Sequence, residues 1–331
     1  MSQTPPASML TSDFDYHLPP ELIASTPLAD RAASRMLVIH RSTGLIEHRL
    51  FSDFPSYLQP QDCVILNNTR VVPARFLTDD NREILRLKSH SPTLWRCMVK
   101  PGKRFKLQHQ VSLGDATGTV QEVFENGDRL IAWDRPVDED RYGHLALPHY
   151  MERDEQPNDR ERYQTVFAAH EGSIAAPTAG LHFTPEILAS IPHAFITLHV
   201  GVGTFQPVRA ERIEDHVMHH EEFDVSAPAA LQIQNATRRI AVGTTAMRTL
   251  ETIARDHGQI IAARGETNLF ITPGFQFKTV GALLTNFHLP KSTLMMLVSA
   301  FATRDLILEA YRQAVAQRYR FFSYGDCMLI L

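Results

Sequence analysis

The chain has 331 residues, of which 44% are hydrophobic and 21% charged, and its formal net charge is −4 at pH 7. That is ordinary globular composition with enough apolar material for a sizeable core, and at roughly 100–200 residues per domain the length suggests two domains. Three cysteines, Cys63, Cys97 and Cys327, are far apart, odd in number and outside any C-x-x-C spacing, which argues against a disulfide framework or a thiolate zinc site and for a reducing compartment.

Three zones follow in chain order. Met1 to Thr11 is polar and lacks a basic-then-apolar leader pattern, so secretion is not expected. Asp13-Phe14-Asp15-Tyr16 and Leu18-Pro19-Pro20 read as extended, turn-rich chain, and Asp62 to Leu66 reads as a short buried strand. From about Asn67 to Tyr150, short apolar alternations stand between turn residues. Glu83–Leu87, Leu94–Val99 and Thr117–Phe124 are the clearest strands, and Asn126-Gly127-Asp128 predicts a hairpin turn into Leu130–Trp133. No helical period is present there, so the zone reads as a small all-β, barrel-like domain.

The third zone, about Met151 to Leu331, alternates strands with helices. Thr184-Pro185-Glu186 is a helix start, with Thr as N-cap, Pro in the first turn and Glu beside the positive end of the dipole. Phe195–Val200 is strand-like, Ser226 caps a helix running to about Arg238, and Ile240–Val242 is a strand followed by a helix from Thr244 to Arg255. Leu283-Leu284 precedes a further loop, and Asp305 to Gln317 is an amphipathic helix. The apolar run at Leu294 to Ala302 is too short to span a bilayer. Such alternation predicts a mostly parallel sheet covered on both faces, with ligands at the carboxyl ends of the strands.

Charge is distributed unevenly. Arg70 to Lys106 carries ten Lys/Arg against three Asp/Glu, a local net of +7, and Leu107 to Glu161 carries five against thirteen, a local net of −8. The first segment is either a solvated surface of alternating strands or a concentration of cations able to meet a phosphate backbone.

Four segments of the third zone place Gly, Thr, His or Asn at predicted strand ends: Ala175–Thr184, Leu198–Phe205, Val242–Glu251 and Thr285–Pro290. In a parallel sheet their loops converge on one rim. Glycines there let a ligand approach the backbone, and histidines exchange protons near neutral pH. A single buried histidine is usually structural; the shared placement of His182, His199 and His288 makes them candidates. Gly243-Thr244-Thr245 at a helix start offers free amides and a dipole to an anion such as a carboxylate, worth about 0.3–1 kcal/mol. Arg248 and Glu251, three residues apart on that helix, are either part of this site or a surface ion pair worth little. Gly201-Val202-Gly203 lacks the third glycine of a dinucleotide fingerprint, and no G-x-S-x-G elbow is present. His216, His219 and His220 with Glu221 and Glu222 suggest metal ligands on paper, but adjacent His219 and His220 diverge on a helix or a strand, so no metal is expected.

Taken together, the chain resembles the S-adenosylmethionine:tRNA ribosyltransferase-isomerase family of queuosine biosynthesis. The resemblance rests on Asp13–Tyr16, Ser34–Leu37, Asn67–Val71 with Pro73–Arg75, and Arg162–Val166, and most specifically on Ala175–Thr184, Thr197–Val208, Gly243–Glu251, Thr285–Leu294 and the tail Tyr319–Asp326. Gly281-Ala282 stands where the family pattern has an Asp-Gly pair, Cys327 replaces a common Ala, and the stretch from about Thr78 to Leu147 diverges most. The resemblance implies a Rossmann-like three-layer α/β domain (1–66 plus 151–331) with an inserted small β-barrel domain (67–150). It implies a cytoplasmic enzyme that uses S-adenosylmethionine as ribosyl donor, with no prosthetic group and no membrane partner. The acceptor would be the 7-aminomethyl-7-deazaguanine base at the tRNA wobble position, and the products epoxyqueuosine in tRNA, adenine and methionine.

A sulfonium acidifies the ribose 5′ carbon beside it, so this chemistry needs a base there, for which His182, His199 and His288 are the candidates. Substrate contacts are expected from Thr178, Gly180, Phe183, Gly203, Thr204, Thr244, Thr245, Arg248, Glu251 and Asn286, with the sulfonium against Phe183, Phe205 or Phe287 at about 0.5–2 kcal/mol of cation–π attraction. Arg70, Arg75, Arg96, Lys100, Lys103 and Arg104 are expected to meet the tRNA backbone. Two rivals are an S-adenosylmethionine-dependent RNA methyltransferase, whose glycine-rich loop would have to come earlier in the chain than Gly201, and a non-catalytic RNA-binding protein, which needs no convergent pocket.

Overall fold

The computed structural model describes residues 9–331 except 152, 202, 204–207 and 209. The amino-terminal half carries β1 (Arg35–Ile39), β2 (Ile46–Leu50), β3 (Asp62–Asn67), β4 (Thr69–Val71) and β5 (Arg75–Leu77). Next come β6 (Glu83–Ser91), β7 (Leu94–Lys100), β8 (Gln110–Leu113), β9 (Ala116–Val123) and β10 (Arg129–Trp133). The one-turn helix α1 (Glu139–Tyr142), β11 (Gly143–His144) and α2 (Asp159–Arg162) lead to β12 (His170–Ser173), α3 (Pro185–Ala189) and β13 (His193–Leu198). The remainder is β14 (Glu221–Val225), α4 (Ala227–Asn235), β15 (Arg238–Val242), α5 (Gly243–His257), β16 (Ala263–Thr267), β17 (Ala282–Asn286), α6 (Thr293–Ala302), α7 (Arg304–Ala316) and β18 (Cys327–Ile330).

Nine strands form a central sheet in the order β16-β14-β13-β3-β15-β17-β18-β1-β2. β3, next to its middle strand β15, is buried at every position, as a continuous apolar run must be when both faces of a sheet are covered. Alternate residues feed two cores. Ile65, Ala241 and Leu283 pack with Met247, Leu250 and Tyr311 under the long helices. Val64, Leu66, Val242 and Leu284 pack on the other face with Phe51, Phe54 and Phe183. The expected mostly parallel sheet is corrected to a mixed one. β13, β3, β15 and β17 are mutually parallel, and β18 is parallel to β1, but both sheet margins and the β17–β18 step are antiparallel. Only β1–β2 is a hairpin; the other antiparallel steps join strands far apart in the chain, which strand–helix alternation does not announce. The run at 294–302 is the buried helix α6, capped by Ser292, whose hydroxyl accepts from the Met295 amide.

A second, seven-stranded sheet runs in the order β11-β5-β6-β7-β10-β9-β8. Its period-two strands turn Phe76, Trp95, Cys97, Val120 and Ile131 into a separate core. The turn at 126–128 joins β9 to β10 as expected, with Gly127 at φ +92° and the Asn126 side chain accepting from the Asp128 amide. The sheet curls until Asp79, just past β5, donates its amide to the Ser112 carbonyl of β8 at 3.0 Å. The chain leaves the central sheet through β4 and returns through β12, and these two pair side by side in parallel. Lys88 of β6 also meets Glu222 of β14 at 2.6 Å.

Asn67 stands where the two sheets part. Its Nδ2 donates to the Leu198 carbonyl at 2.9 Å, while its Oδ1 accepts the Leu198 amide at 3.0 Å and the Thr69 amide at 3.2 Å. One side-chain amide therefore extends the β3–β13 ladder past its last backbone pair and fixes the direction in which β4 departs. Asn67→Ala orphans three buried backbone groups, at about 1–3 kcal/mol for a group left unsatisfied. Asn67→Asp keeps the shape but sets a carboxylate against the Leu198 carbonyl. Both variants are expected to lower the thermal unfolding midpoint, Asp at least as much as Ala; an unchanged midpoint in either removes the clasp from this role.

Candidate active site

Because β13, β3, β15 and β17 are parallel, their carboxyl ends share one edge of the sheet. His199 follows β13, Asn67 ends β3, Gly243 opens α5 directly from β15, and Asn286 ends β17. The single turn Thr178–His182 lies across this edge, and the Ala179 methyl is 3.7 Å from where a Gly243 side chain would begin. Three of the four expected segments thus leave parallel strands, and the fourth crosses them. Sequence reading missed Asn67 as a rim member, although it opens the Asn67–Val71 stretch that carries part of the resemblance.

The three histidines are not gathered into one cluster. His182 is 3% exposed and its Nδ1 lies 2.9 Å from the Ser34 hydroxyl, which itself donates to the Arg31 carbonyl. Its Nε2 lies 3.3 Å from the Asn286 side-chain amide. That network assigns the proton to Nδ1 and leaves Nε2 as the acceptor. Asn286 Nδ2 also donates to the Phe322 carbonyl at 3.0 Å, while its Oδ1 is buried with no partner among the described residues. Thr285 points to the opposite face of the sheet, where its hydroxyl meets His288 Nε2 at 3.0 Å. There the His288 amide donates to the Tyr311 hydroxyl, and Tyr16 donates to the His288 carbonyl. His199 is three strand spacings from β17, roughly 14 Å at about 4.8 Å per step. Its Nδ1 meets the Thr69 hydroxyl at 2.8 Å, and its ring lines an open cleft with Asn68, His170, Thr197 and Glu222. Gly172 at φ +143° passes so close that a Cβ there would lie 2.9 Å from the His199 ring.

Several expected substrate contacts have other partners. Glu251 is wholly buried, and its carboxylate accepts the amides of Lys278, Thr279 and Val280 at 2.8–3.0 Å. Arg248 forms a buried ion pair with Glu221 and donates to the Leu269 carbonyl. The surface-pair alternative for Arg248 and Glu251 is therefore corrected: both face inward, each to a different partner. Phe183 packs edge-on against Phe51 and Phe54, and Phe287 against Tyr311 and Tyr319, so both rings belong to the cores rather than facing a cation. Gly180 allows close packing on Thr165 and Phe167, and Gly203 on the His219 ring. Thr178 is half-buried at the start of its turn, Thr244 is buried, and Thr245 presents its hydroxyl 3.4 Å from Asn67 Nδ2. Thr204 and Phe205 lie outside the described residues.

The six expected tRNA-contacting residues fall at four places. Lys103 and Arg104 are exposed on one turn with Lys106, Arg82 and His109 beside them. Arg75 and Lys100 line a separate cleft, where Arg75 pairs with Glu83 at 2.9 Å. Arg96 pairs with Asp128 and lies over the Phe124 ring, and Arg70 donates to the Ala168 carbonyl. Among the described residues no group of three or more His, Cys, Asp or Glu side chains is placed to hold a metal, and no helix is long and apolar enough to cross a membrane. His216 packs edge-on against Phe270 while His220 faces Glu266.

The family model described as queuosine biosynthesis protein matches residues 11–330. The chain belongs to this family. A relative from Symbiobacterium thermophilum, named S-adenosylmethionine:tRNA ribosyltransferase-isomerase, is 51% identical over 98% of this chain and 100% of its own length. Relatives of the same name from Solibacter usitatus and Halothermothrix orenii are 47% and 46% identical, each over 98% of this chain and all of their own. The crystal structure of S-adenosylmethionine tRNA ribosyltransferase from Thermotoga maritima is similar with a TM-score of 0.57 and 39% identity, covering 97% of this chain and 100% of that one.

In this queuosine biosynthesis family member, burial holds the inner histidines neutral. Desolvation pushes His182 down to about 4, helped by nearby Arg31 and Arg320 against the Asn286 hydrogen bond, and pushes His288 down to about 3. An unfolded imidazole, near 6.5, takes up its proton first as the pH falls. The stability contributed by neutral burial is therefore complete above about pH 6.5 and drains as the pH drops toward 4, at up to about 1.4 kcal/mol per pH unit for each group. Wild type is expected to lose stability steeply between pH 6.5 and 4.5, and His288→Gln to show a shallower slope. Parallel urea-unfolding series at several pH values test this, and equal slopes would refute it.

Proposed function

We propose that the protein transfers and isomerises the ribosyl moiety of S-adenosylmethionine onto the 7-aminomethyl-7-deazaguanine base at the wobble position of tRNA, in the cytoplasm. It would release adenine and methionine and leave epoxyqueuosine. The carrying observation is similarity along the whole chain, not at one motif, to relatives named for this activity. The sheet order supports a division into a Rossmann-like α/β catalytic domain, 1–66 plus 151–331, and an inserted barrel, 67–150, since the chain crosses between the two sheets only beside β4 and β12.

The donor belongs at the His182–Asn286 end of the rim. There Nε2 of a neutral imidazole, freed of its 3.3 Å contact with the Asn286 amide when the donor enters, is the base for the proton on the ribose 5′ carbon, acidified by the neighbouring sulfonium. Position comes first in this choice: His288 lies on the far face of the sheet, and His199 opens onto the cleft beside the seven-stranded unit, where the acceptor base would enter. The acceptor's amine forms the new carbon–nitrogen bond to the ribosyl skeleton and gives up a proton, while loss of adenine breaks the glycosidic bond, with the departing purine taking up a proton. Loss of methionine then returns the sulfur to a neutral thioether. The amides at the start of α5, beside Thr244 and Thr245, face the same rim as further donors. His182→Gln is expected to reduce adenine release at least a hundredfold, as loss of a general base does, and His199→Gln to reduce it less while raising the tRNA concentration needed. Donor labelled in its methyl and adenine groups reports both this and the reaction class. S-adenosylhomocysteine as the product would make the protein a methyltransferase, and full adenine release by His182→Gln would remove that residue from the chemistry.

For the RNA backbone, the exposed turn bearing Lys103, Arg104 and Lys106 is the strongest candidate, because none of the three forms an ion pair among the described residues. Reversing all three to Glu is expected to weaken tRNA binding and lower the slope of log affinity against log salt by about 2–3, since each phosphate that a cation neutralises adds close to one to that slope. Filter binding at several salt concentrations with an unaltered slope would move the RNA elsewhere.

A further inference from the structure

Behind His182 the chain gathers three arginines, Arg31, Arg162 and Arg320, that form no ion pair among the described residues. Residues 25–29 are held by their carbonyls. Arg153 donates to Ser25, Arg320 to Thr26, and Arg162 to Leu28 at 2.7 Å and to Ala29 at 3.0 Å. Arg31 donates across to the carbonyls of Leu181 and Glu161. Of these four, only Arg153 has an ion-pair partner among the described residues, Asp159. Asp159 is spent on Arg153, the Gln156 amide and the Tyr324 hydroxyl. Asp326 accepts the Arg35 and Arg320 amides and pairs with the Arg35 guanidinium, and Glu161 acts on Arg31 from a distance without pairing with it, so three carboxylates face five guanidinium groups. Arg31, Arg162 and Arg320 therefore leave a net positive charge. Two of their buried nitrogens, Arg162 Nε and Arg320 Nη1, have no hydrogen-bond partner among the described residues. Carbonyls alone do not balance such a cluster; the desolvation and mutual repulsion that lower the Arg31 pKa are the cost of leaving it so.

A narrow cleft of about 20 Å³ opens here, walled by Arg31, Arg162, Ser34, Ser323, Tyr324 and the His182 ring. We propose that this cleft is an oxyanion pocket that takes the carboxylate at the amino-acid end of the donor. This inference rests on the donor reading above. So narrow a space takes a single small terminal group at its mouth and no strand of RNA. Guanidinium forks match a carboxylate in two-point geometry, and the shared wall places the bound end beside His182. Seating the anion here also removes the need for Arg248, whose charge Glu221 already cancels.

The test is a cycle of ligands and variants. Calorimetry would compare S-adenosylmethionine with its decarboxylated analogue on wild type, Arg31→Gln and Arg162→Gln, the two arginines that wall the cleft, with unfolding midpoints taken alongside. Wild type is expected to favour the carboxylate compound at least tenfold, and each variant to lose most of that preference while binding the decarboxylated analogue unchanged. Because the analogue deletes the carboxylate from the ligand, wild type alone decides if the variants fold poorly: equal affinities would overturn the pocket. Variants that fold and keep the full preference would also overturn it. Variants that keep it but bind tRNA more weakly would reassign the oxyanion to an RNA phosphate. Wild type binding neither compound would fail the donor reading itself, a result distinct from all the others.

Discussion

The side-chain amide of Asn67 is the point on which the arrangement turns. β3 can end there only because one side chain supplies what the next residue's backbone would have supplied, a donor and an acceptor for Leu198. The same oxygen takes the first amide of the departing segment. A parallel pair is thereby finished and a new direction begun within three residues. The rim inherits its order from this: β13 and β3 end level with each other, α5 starts against them through Thr245, and the seven-stranded unit hangs from the next strand. An aspartate, lacking the donor, could not serve.

Electrostatics then separates what is frame from what faces a ligand. Glu251 and Arg248 lie on one helix and each has its own buried partners, Glu251 three amides and Arg248 the carboxylate of Glu221, with only Arg248 Nη2 left without a partner among the described residues. Breaking such arrangements is costly, but their existence says little about binding. His182 differs in kind. It is neutral, its tautomer is fixed by Ser34 and Asn286, and its surroundings are positive. Those surroundings disfavour a second proton on the ring, so any proton it accepts must be passed on quickly or shared with a nearby anion.

Much of this was legible in the sequence where a local rule settles it. The apolar run of β3, the Thr184 and Ser226 caps, the glycine turn before β10 and the helix after β15 all follow from residues within a few positions of one another. The convergence of strand-end loops was legible too, because parallelism forces it. Which face of the sheet each loop's residues point to was not. His288 follows Asn286 by two residues, yet Thr285 carries it to the opposite face from His182. The arginine trio was equally hidden. Its members lie at 31, 162 and 320, and nothing local says that three turns so far apart share a wall. Phe183 and Phe287 misled for the opposite reason, since an aromatic beside a histidine reads as a ligand contact until the ring's faces are seen to be covered.

The place of β18 carries a consequence for how the molecule is made. It is the last strand, yet it is interior to the sheet, between β17 and β1, and Met36 lies opposite Cys327. Until β18 has formed, the β1–β2 hairpin has no strand of the central sheet to join, and the apolar residues 36–39 are an open edge of the kind that recruits other strands. Every other strand of the central sheet can find a neighbour earlier. Assembly of this protein is thus a closing operation, in which the first hairpin synthesised must wait, shielded, for the final segment to bridge it to a body already formed.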